Sequence, residues 1–242
     1  RLFVIVTDVS APRGLDLAAG AAQARRFRDL GATAVNVPDY PKSGARASAL
    51  ALAVLLEQAK VETLLHYSCR NRNLMGMQSD LVGAHAMGLR NVLLTTGNPA
   101  PQATYPDATS VFDVDAIGLT NMVVRLNQGR DIADQPLGAP TQFHVGVAVN
   151  PFAPHLEAEW RRLDHKVEAG AEFIVTPPIL DVAAFDAVLP RLVGTGLPVI
   201  AGVAALESVR HAEFLASEVV GVRVAEALLE RLRRTGDEGA EA

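Results

Sequence analysis

The chain has 242 residues, 49% of them hydrophobic and 20% charged, which is enough apolar material for one large domain or two smaller ones. Its 27 acidic and 22 basic residues give a net charge of −5 and are mixed along the sequence, which argues against nucleic-acid binding. No apolar run reaches the roughly 20 residues of a membrane helix, no leader sequence opens the chain, and its single cysteine excludes an internal disulfide, so we expect a cytoplasmic protein that binds no membrane.

Short β-branched segments alternate with longer segments of helical periodicity along the chain. The predicted strands cover residues 2–7, 34–37, 63–69, 91–96, 143–149, 173–176 and 198–203. The predicted helices cover residues 15–30, 45–60, 74–89, 115–126, 157–169, 182–193 and 208–215. Most of the strands are apolar on both faces, as parallel strands covered by helices must be.

One strand and one helix recur about every 30 residues, which predicts an α/β fold, a (β/α)8 TIM barrel. Seven units are clear, and the eighth strand is unclear or missing. Either residues 219–224 form a short strand before a helix at 225–234, or the closing strand lies beyond Ala242. We expect a single barrel domain over residues 1–242, excerpted from a longer polypeptide, with a flexible tail at 236–242.

Polar residues at the carboxyl ends of the strands are the candidates for chemistry, because a barrel points them toward a common mouth. Asp8 follows the first strand. It is either a proton donor whose pKa partial burial would raise, or a cap of the turn before Pro12 and Gly14. His66 lies inside the third strand, where a lone histidine is more often a satisfied core residue than a functional group.

An insertion at residues 97–114 follows the fourth strand and would leave the same face of the barrel. It opens with Gly97, Asn98 and Pro99, a turn signal by composition. The glycine would let a planar ligand approach the backbone closely, and the asparagine would supply hydrogen-bond donors and acceptors.

Other reactive side chains have simple structural interpretations. Arg70 and Arg72 would lower the pKa of Cys69, but we favour a small buried hydrophobic role for this thiol. Lys166 on the fifth helix is by default a solvated surface residue. We predict no metal site, because the following histidines lack metal-ligand spacing: His85, His144, His155, His165 and His211.

Several longer motifs resemble one enzyme family. The segment HYSCRNRNL (66–74) is similar to the HLTCRDRN segment of methylenetetrahydrofolate reductases. LLTTGNPAP (93–101) and YPDATSVFDVDAIGL (105–119) resemble the family's LTGDPP and the stretch after it, and GVAVNP (146–151), HKVEAGAEFIVTPP (165–178) and LPVIAGV (197–203) resemble its later strands. The resemblance extends from about Val4 to Arg231. It is strongest to the branch in which the reductase is fused to a homocysteine methyltransferase domain.

The resemblance implies an oxidoreductase of one-carbon metabolism and methionine biosynthesis that binds FAD at the barrel mouth. NAD(P)H would reduce the flavin, which would convert 5,10-methylenetetrahydrofolate to 5-methyltetrahydrofolate. The family's strand-one acid, which assists opening of the methylene bridge, maps to Asp8. Flavin-binding positions map to His66, Thr96, Gly97, Asn98, Ala148 and Lys166, the last two near the ribityl chain and phosphates. Substrate-binding positions map to Asn98, Thr176 and Pro177. The implied partners are a folate substrate, and either further copies of the chain or a fused methyltransferase domain.

Three positions depart from the family pattern. Asp8 replaces a glutamate, Asn98 replaces the aspartate of the GDPP motif, and Pro177 replaces a glutamine that hydrogen-bonds the pterin. The first change shortens the acid, the second removes a charge beside the flavin, and the third removes a side-chain polar group. We favour a working reductase with an altered active site. The alternatives are a diverged flavoprotein that acts on another substrate and a non-catalytic partner subunit.

Overall fold

The computed structural model describes residues 3–39, 45–98, 107–219 and 221–235, which alternate between strands and helices as predicted. The strands are β1 (Val6–Asp8), β2 (Ala34–Val37), β3 (Thr63–Ser68), β4 (Asn91–Thr95), β5 (His144–Ala148), β6 (Phe173–Pro178) and β7 (Val199–Gly202). The helices are α1 (Ala18–Asp29), α2 (Ala49–Gln58), α3 (Leu74–Ala86), α4 (Ala116–Asn127), α5 (Leu156–Glu168), α6 (Val182–Val193), α7 (Val209–Glu218) and α8 (Glu226–Thr235). In the described part of the chain, none of these helices is long and apolar enough to cross a membrane.

The chain divides into two compact units. Unit 1 comprises residues 1–147 and 169–171, and unit 2 comprises residues 148–168 and 172–242. In unit 1, β1 to β5 pair in parallel and in chain order. In unit 2, β6 and β7 pair in parallel, with an irregularity in register between Val175 and Pro178.

The core of unit 1 lies between one face of its sheet and its helices. Side chains alternate along a strand, so Val35 and Val37 of β2 share this face with Leu65, the register partner of Val37, and with Tyr67, two residues further along β3. All four are at most 1% exposed, and Leu52 of α2 is completely buried in the same cluster. Each such side chain contributes about 1.5 to 3 kcal/mol of hydrophobic stabilisation. The opposite face of the sheet carries the polar side chains of Asn36 and His66.

Side-chain caps set where five of the described helices begin, including α2, α3 and α4. The oxygens of Ser48, Asn73 and Asp115 accept hydrogen bonds from backbone N–H groups in the first turns of α2, α3 and α4, respectively. The sequence predicted α2 from residue 45, but the helix begins four residues later, at Ala49. Ser48 has extended backbone angles and is the N-cap, so the helix does not extend further toward the amino terminus.

One apolar cluster of unit 2 comprises Leu180, Leu206, Ala212, Leu229 and Leu232. Val224 forms an isolated parallel bridge with Leu180, and α8 begins two residues later. The helix predicted at 225–234 is confirmed. In the described part of residues 219–224 the eighth strand is reduced to this bridge, and the predicted tail at 236–242 lies outside the described residues.

Candidate active site

Two polar side chains meet at the carboxyl ends of β1 and β2. Asp8 and Asn36 lie side by side in register, and Asn36 Nδ2 donates a 2.6 Å hydrogen bond to Asp8 Oδ1. Asp8 is the last residue of β1, and its side chain is exposed rather than partly buried. In the described residues its side chain bonds to Asn36, in place of the predicted cap of the turn before Pro12 and Gly14. Asn36 is 8% exposed and escaped the sequence analysis, although it is the only polar residue of β2.

His66 lies on the same face of the sheet. Leu64 is the register partner of Asn36, and His66 lies two residues after Leu64 on β3. Because side chains alternate along a strand, the side chains of His66, Asn36 and Asp8 point to the same side of the sheet. Burial lowers the pKa of His66 to about 4, although the carboxylates of Asp8 and Asp39 oppose this shift. The imidazole is therefore neutral at pH 7.

Two buried polar atoms on this face lack hydrogen-bond partners within the described residues: Nε2 of His66 and Oδ1 of Asn36. An unsatisfied buried polar group costs about 1 to 3 kcal/mol, and such groups in a folded protein require an explanation. A ligand that offers a donor and an acceptor at these two atoms would remove the cost. His66 is therefore not the satisfied core histidine that the sequence favoured.

The turn after β4 is held against the loop after β3. Gly97 has φ +80°, and a Cβ at this position would lie 2.9 Å from Cβ of Arg70 and 3.1 Å from Cβ of Ser68. The carbonyl of Asn98 accepts a hydrogen bond from Arg70 Nη1 at 3.2 Å, while the Asn98 side chain is exposed. The glycine therefore permits close packing of two protein loops. Pro99, which completes the predicted turn, lies outside the described residues.

Thr96 links the end of β4 to the start of α4. Its Oγ1 accepts a 3.0 Å hydrogen bond from the backbone N–H of Ala116. The hydroxyl proton of Thr96 can still be donated to a ligand, because one hydroxyl both accepts and donates. Within the insertion at 97–114, the carbonyl of Val111 accepts from the N–H of Asn71.

An ion-pair network that the sequence analysis missed supports the loop after β3. Arg72 Nη1 donates to Asp39 Oδ2 at 2.7 Å, and Ser68 Oγ donates to the same oxygen at 2.7 Å. The Arg72 guanidinium also lies 4.5 Å from the ring centre of Tyr67, whose hydroxyl donates to Asp80. Burial opposes ionisation of Asp39, but the Arg72 guanidinium holds the pKa of its carboxyl below the usual value.

Cys69 is completely buried among apolar residues. Burial raises the pKa of its thiol to about 11. The hydrophobic role favoured from the sequence is confirmed, and the alternative, in which neighbouring arginines lower the pKa, is wrong because desolvation outweighs their charge.

The remaining candidates lie in unit 2. Lys166 is 6% exposed, and its Nζ donates a 2.7 Å hydrogen bond to the carbonyl of Ala148, so the default of a solvated surface lysine is wrong. Thr176 Oγ1 accepts from the N–H of Gly202 and donates to the carbonyl of Pro177. The structure thus pairs Ala148 with Lys166, and Thr176 with Pro177, through bonds within the unit.

A family model described as methylenetetrahydrofolate reductase matches residues 3–242. The chain belongs to the methylenetetrahydrofolate reductase family. It is 26% identical over 161 residues to methylenetetrahydrofolate reductase 1 of Schizosaccharomyces pombe, a match that covers 64% of this chain and 24% of that protein. It is 28% identical over 153 residues to a probable methylenetetrahydrofolate reductase (NADPH) of Caenorhabditis elegans, covering 62% of this chain and 21% of that protein. The chain thus spans less than a quarter of these relatives' length.

Solved structures show the fold class. A protein of Clostridium thermocellum that binds two copies of 5-methyl-5,6,7,8-tetrahydrofolic acid superimposes with a TM-score of 0.62 at 12% identity, covering 98% of this chain and 80% of that one. A 2,3-dimethylmalate lyase superimposes with a TM-score of 0.60 at 12% identity, covering 95% of this chain and 73% of that one. The predicted β/α-barrel class is confirmed, with seven strands in the described residues and the eighth not found among them.

Proposed function

We propose that this chain reduces 5,10-methylenetetrahydrofolate to 5-methyltetrahydrofolate with NAD(P)H and bound FAD, in an altered active site. The supporting observation is the set of unsatisfied polar atoms around Asp8 on the polar face of unit 1, in a chain of this family. The names of the two relatives and the folate bound by the Clostridium thermocellum protein support the same substrate class.

The donors and acceptors of unit 1 fit a flavin ring. The ring edge carries both donors and acceptors, and the buried Nε2 of His66 and Oδ1 of Asn36 lack partners in the described residues. We assign the ring to His66, Thr96, Gly97 and Asn98, and the ribityl chain and phosphates to Ala148 and Lys166. When bound, FAD supplies hydride transfer from the nicotinamide to the folate.

Asp8 would act as the proton donor when the methylene bridge of the folate opens. Its side chain is exposed, so a substrate can reach it, and Asn36 fixes its orientation through the 2.6 Å bond. An asparagine amide donates to a carboxylate and, after rotation, accepts from a carboxylic acid. Asn36 can therefore position Asp8 in both protonation states.

A second candidate function is a flavoprotein that acts on a different substrate. Pro177 has no side-chain donor, and the hydroxyl of Thr176 beside it is hydrogen-bonded to the backbone. Where the family presents a glutamine amide to the pterin, position 177 of this chain presents no side-chain donor. The third alternative, a non-catalytic partner subunit, has no specific structural observation in its favour.

The test is the visible absorption spectrum of the full-length protein. After purification, NADH or NADPH is added without oxygen, followed by methylenetetrahydrofolate. Bleaching of a flavin spectrum and its recovery on addition of the folate are the expected results. Bleaching without recovery would favour the flavoprotein with another substrate. A colourless protein that takes up no FAD would overturn the reductase.

A further inference from the structure

Unit 1 contains a cavity of about 480 Å³ where the loops after β1, β2 and β3 meet. This volume is within the range of small-molecule sites. Among the described residues, three arginines line it, namely Arg46, Arg70 and Arg72, and Asp39 is the only acidic lining residue. None of the described lining residues belongs to the polar face around Asp8 and His66.

The charges of the cavity do not balance. Asp39 is paired with Arg72 at 2.7 Å, and Arg72 also lies 3.5 Å from Asp80, so Arg46 and Arg70 are the cavity arginines without a salt bridge among the described residues. Arg70 is 6% exposed, and its guanidinium donates to the carbonyls of Asn98 and Asp39 at 3.2 and 3.3 Å. Carbonyl groups satisfy donors but carry no charge, and in the described part of the chain no carboxylate forms a salt bridge with Arg70. Charged side chains are almost never fully buried unless they are paired.

Arg46 is the second unbalanced cation. Its Nη1 donates to the carbonyl of Ala11 at 3.0 Å, whereas its Nε is fully buried and has no hydrogen-bond partner within the described ranges. No carboxylate there forms a salt bridge with Arg46. A guanidinium has five N–H donors in a planar fork that matches the oxygens of phosphate and carboxylate groups.

The first turn of α2 adds a third source of positive potential. Ser48 and Ala49 line the cavity, and Ser48 Oγ accepts from the N–H of Ala51. The preceding N–H groups of the helix have no partners within it, and the helix dipole places partial positive charge at this end.

We propose that this cavity binds an oxyanion group, a phosphate or a carboxylate, carried by a small-molecule ligand. Arg46 and Arg70 supply the unbalanced charge, and the start of α2 supplies backbone donors. The cavity is larger than a single phosphate ion, so the anion is one end of a larger molecule. If the proposed function holds, the source is either a phosphate of the nicotinamide cofactor or a glutamate carboxylate of the folate.

The direct probe is pyrophosphate, titrated by calorimetry into the full-length protein at constant ionic strength. Saturable binding to the wild type is expected, and Arg46→Gln should weaken it roughly tenfold, equivalent to about 1.4 kcal/mol. Arg46→Lys, which keeps the charge but loses the fork, should weaken it less. The matched control is Arg130→Gln, an exposed arginine that pairs with Asp134 outside the cavity and should leave binding unchanged. Thermal unfolding verifies that each variant is folded.

Absence of saturable pyrophosphate binding, or equal loss in Arg46→Gln and Arg130→Gln, would overturn the proposal. This probe requires neither flavin nor turnover, so its failure is distinguishable from failure of the proposed function.

Two further titrations identify the molecule that carries the anion. A preference for NADP⁺ over NAD⁺ that disappears in Arg46→Gln would support a cofactor phosphate. A preference for triglutamyl over monoglutamyl tetrahydrofolate that disappears in the same variant would support a folate carboxylate. Pyrophosphate binding with neither preference would overturn the assignment to a substrate.

Discussion

The polar strand ends of unit 1 and unit 2 satisfy their hydrogen-bonding groups differently. In unit 1, the buried Nε2 of His66 and Oδ1 of Asn36 have no partner among the described residues. In unit 2, Lys166 donates to the carbonyl of Ala148, and Thr176 is bonded to backbone groups on both sides. In the sequence, His66, Asn36 and Thr176 look alike, as polar residues within apolar strands. The comparison indicates that unsatisfied hydrogen-bonding capacity, rather than position at a strand end, marks where a ligand is required.

The largest expected effect comes from Asp8→Asn. Loss of a general acid should slow flavin reoxidation by methylenetetrahydrofolate by at least about 100-fold, since positioned acids contribute roughly 10² to 10⁴ in rate. Flavin reduction by NAD(P)H should stay within about twofold of the wild type. Anaerobic stopped-flow absorbance measures both half-reactions, with Asp186→Asn, an exposed carboxylate on α6, as the control. Equal loss in both half-reactions would mean that Asp8 is not the acid.

The pKa of His66 predicts a pH-dependent stability. The folded imidazole has a pKa of about 4, so between about pH 6.5 and pH 4 the unfolded chain binds a proton that the folded chain does not. The free energy of unfolding should therefore fall by up to about 3 kcal/mol as the pH decreases through this window. His66→Gln should remove this pH dependence of the free energy of unfolding, whereas His165→Gln, at an exposed histidine, should keep it. Urea unfolding at pH 7, 5.5 and 4.5 measures the slopes. Parallel curves for wild type and His66→Gln would contradict the burial argument.

A direct test of the comparison sets Lys166→Met against His66→Gln at pH 7. Lys166→Met leaves the Ala148 carbonyl without its donor and should lower the free energy of unfolding by about 2 kcal/mol. His66→Gln removes no hydrogen bond formed by Nε2 in the ligand-free protein. It should therefore change the free energy of unfolding by less than about 0.5 kcal/mol. Urea unfolding without added ligand measures both. A larger loss of stability in His66→Gln than in Lys166→Met would show that unit 2, not unit 1, carries the unsatisfied groups.

The smallest expected effect is at Pro177. Pro177→Gln should tighten folate binding roughly fivefold, about 1 kcal/mol, because it provides an amide to the pterin edge. Equilibrium titration with 5-methyltetrahydrofolate gives the dissociation constant, and Pro178→Gln, the neighbouring substitution, should have no such effect. Unchanged affinity in Pro177→Gln would indicate that the pocket recognises its ligand through other groups.

Local patterns in the sequence predict the elements of this fold well. The helix Val182–Val193 has the predicted bounds because its apolar periodicity and the preceding Asp181 cap are both local signals. β1 is less well predicted. Residues 2–7 look like a strand, but the paired segment is Val6–Asp8, because only register with β2 decides which residues pair.

The site is less predictable than the elements. Asp8 and His66 are visible as polar residues in apolar strands, and the family resemblance assigns them roles. Asn36 and Asp39 gain their significance from neighbours far away in the chain: Asn36 from Asp8 across the register, and Asp39 from Arg72 on another loop. Such pairs depend on tertiary packing, which no spacing within the sequence reports.

The turn after β4 has a consequence for the evolution of the protein. Gly97 cannot accept a side chain without displacing Arg70 or Ser68, and Arg70 holds the carbonyl of residue 98. Asn98, by contrast, is exposed among the described residues. Position 97 is therefore constrained, while the charge at position 98 can change between aspartate and asparagine on the same backbone. If Asn98 faces the flavin as proposed, a single substitution there would change the charge beside the cofactor while the scaffold stays intact.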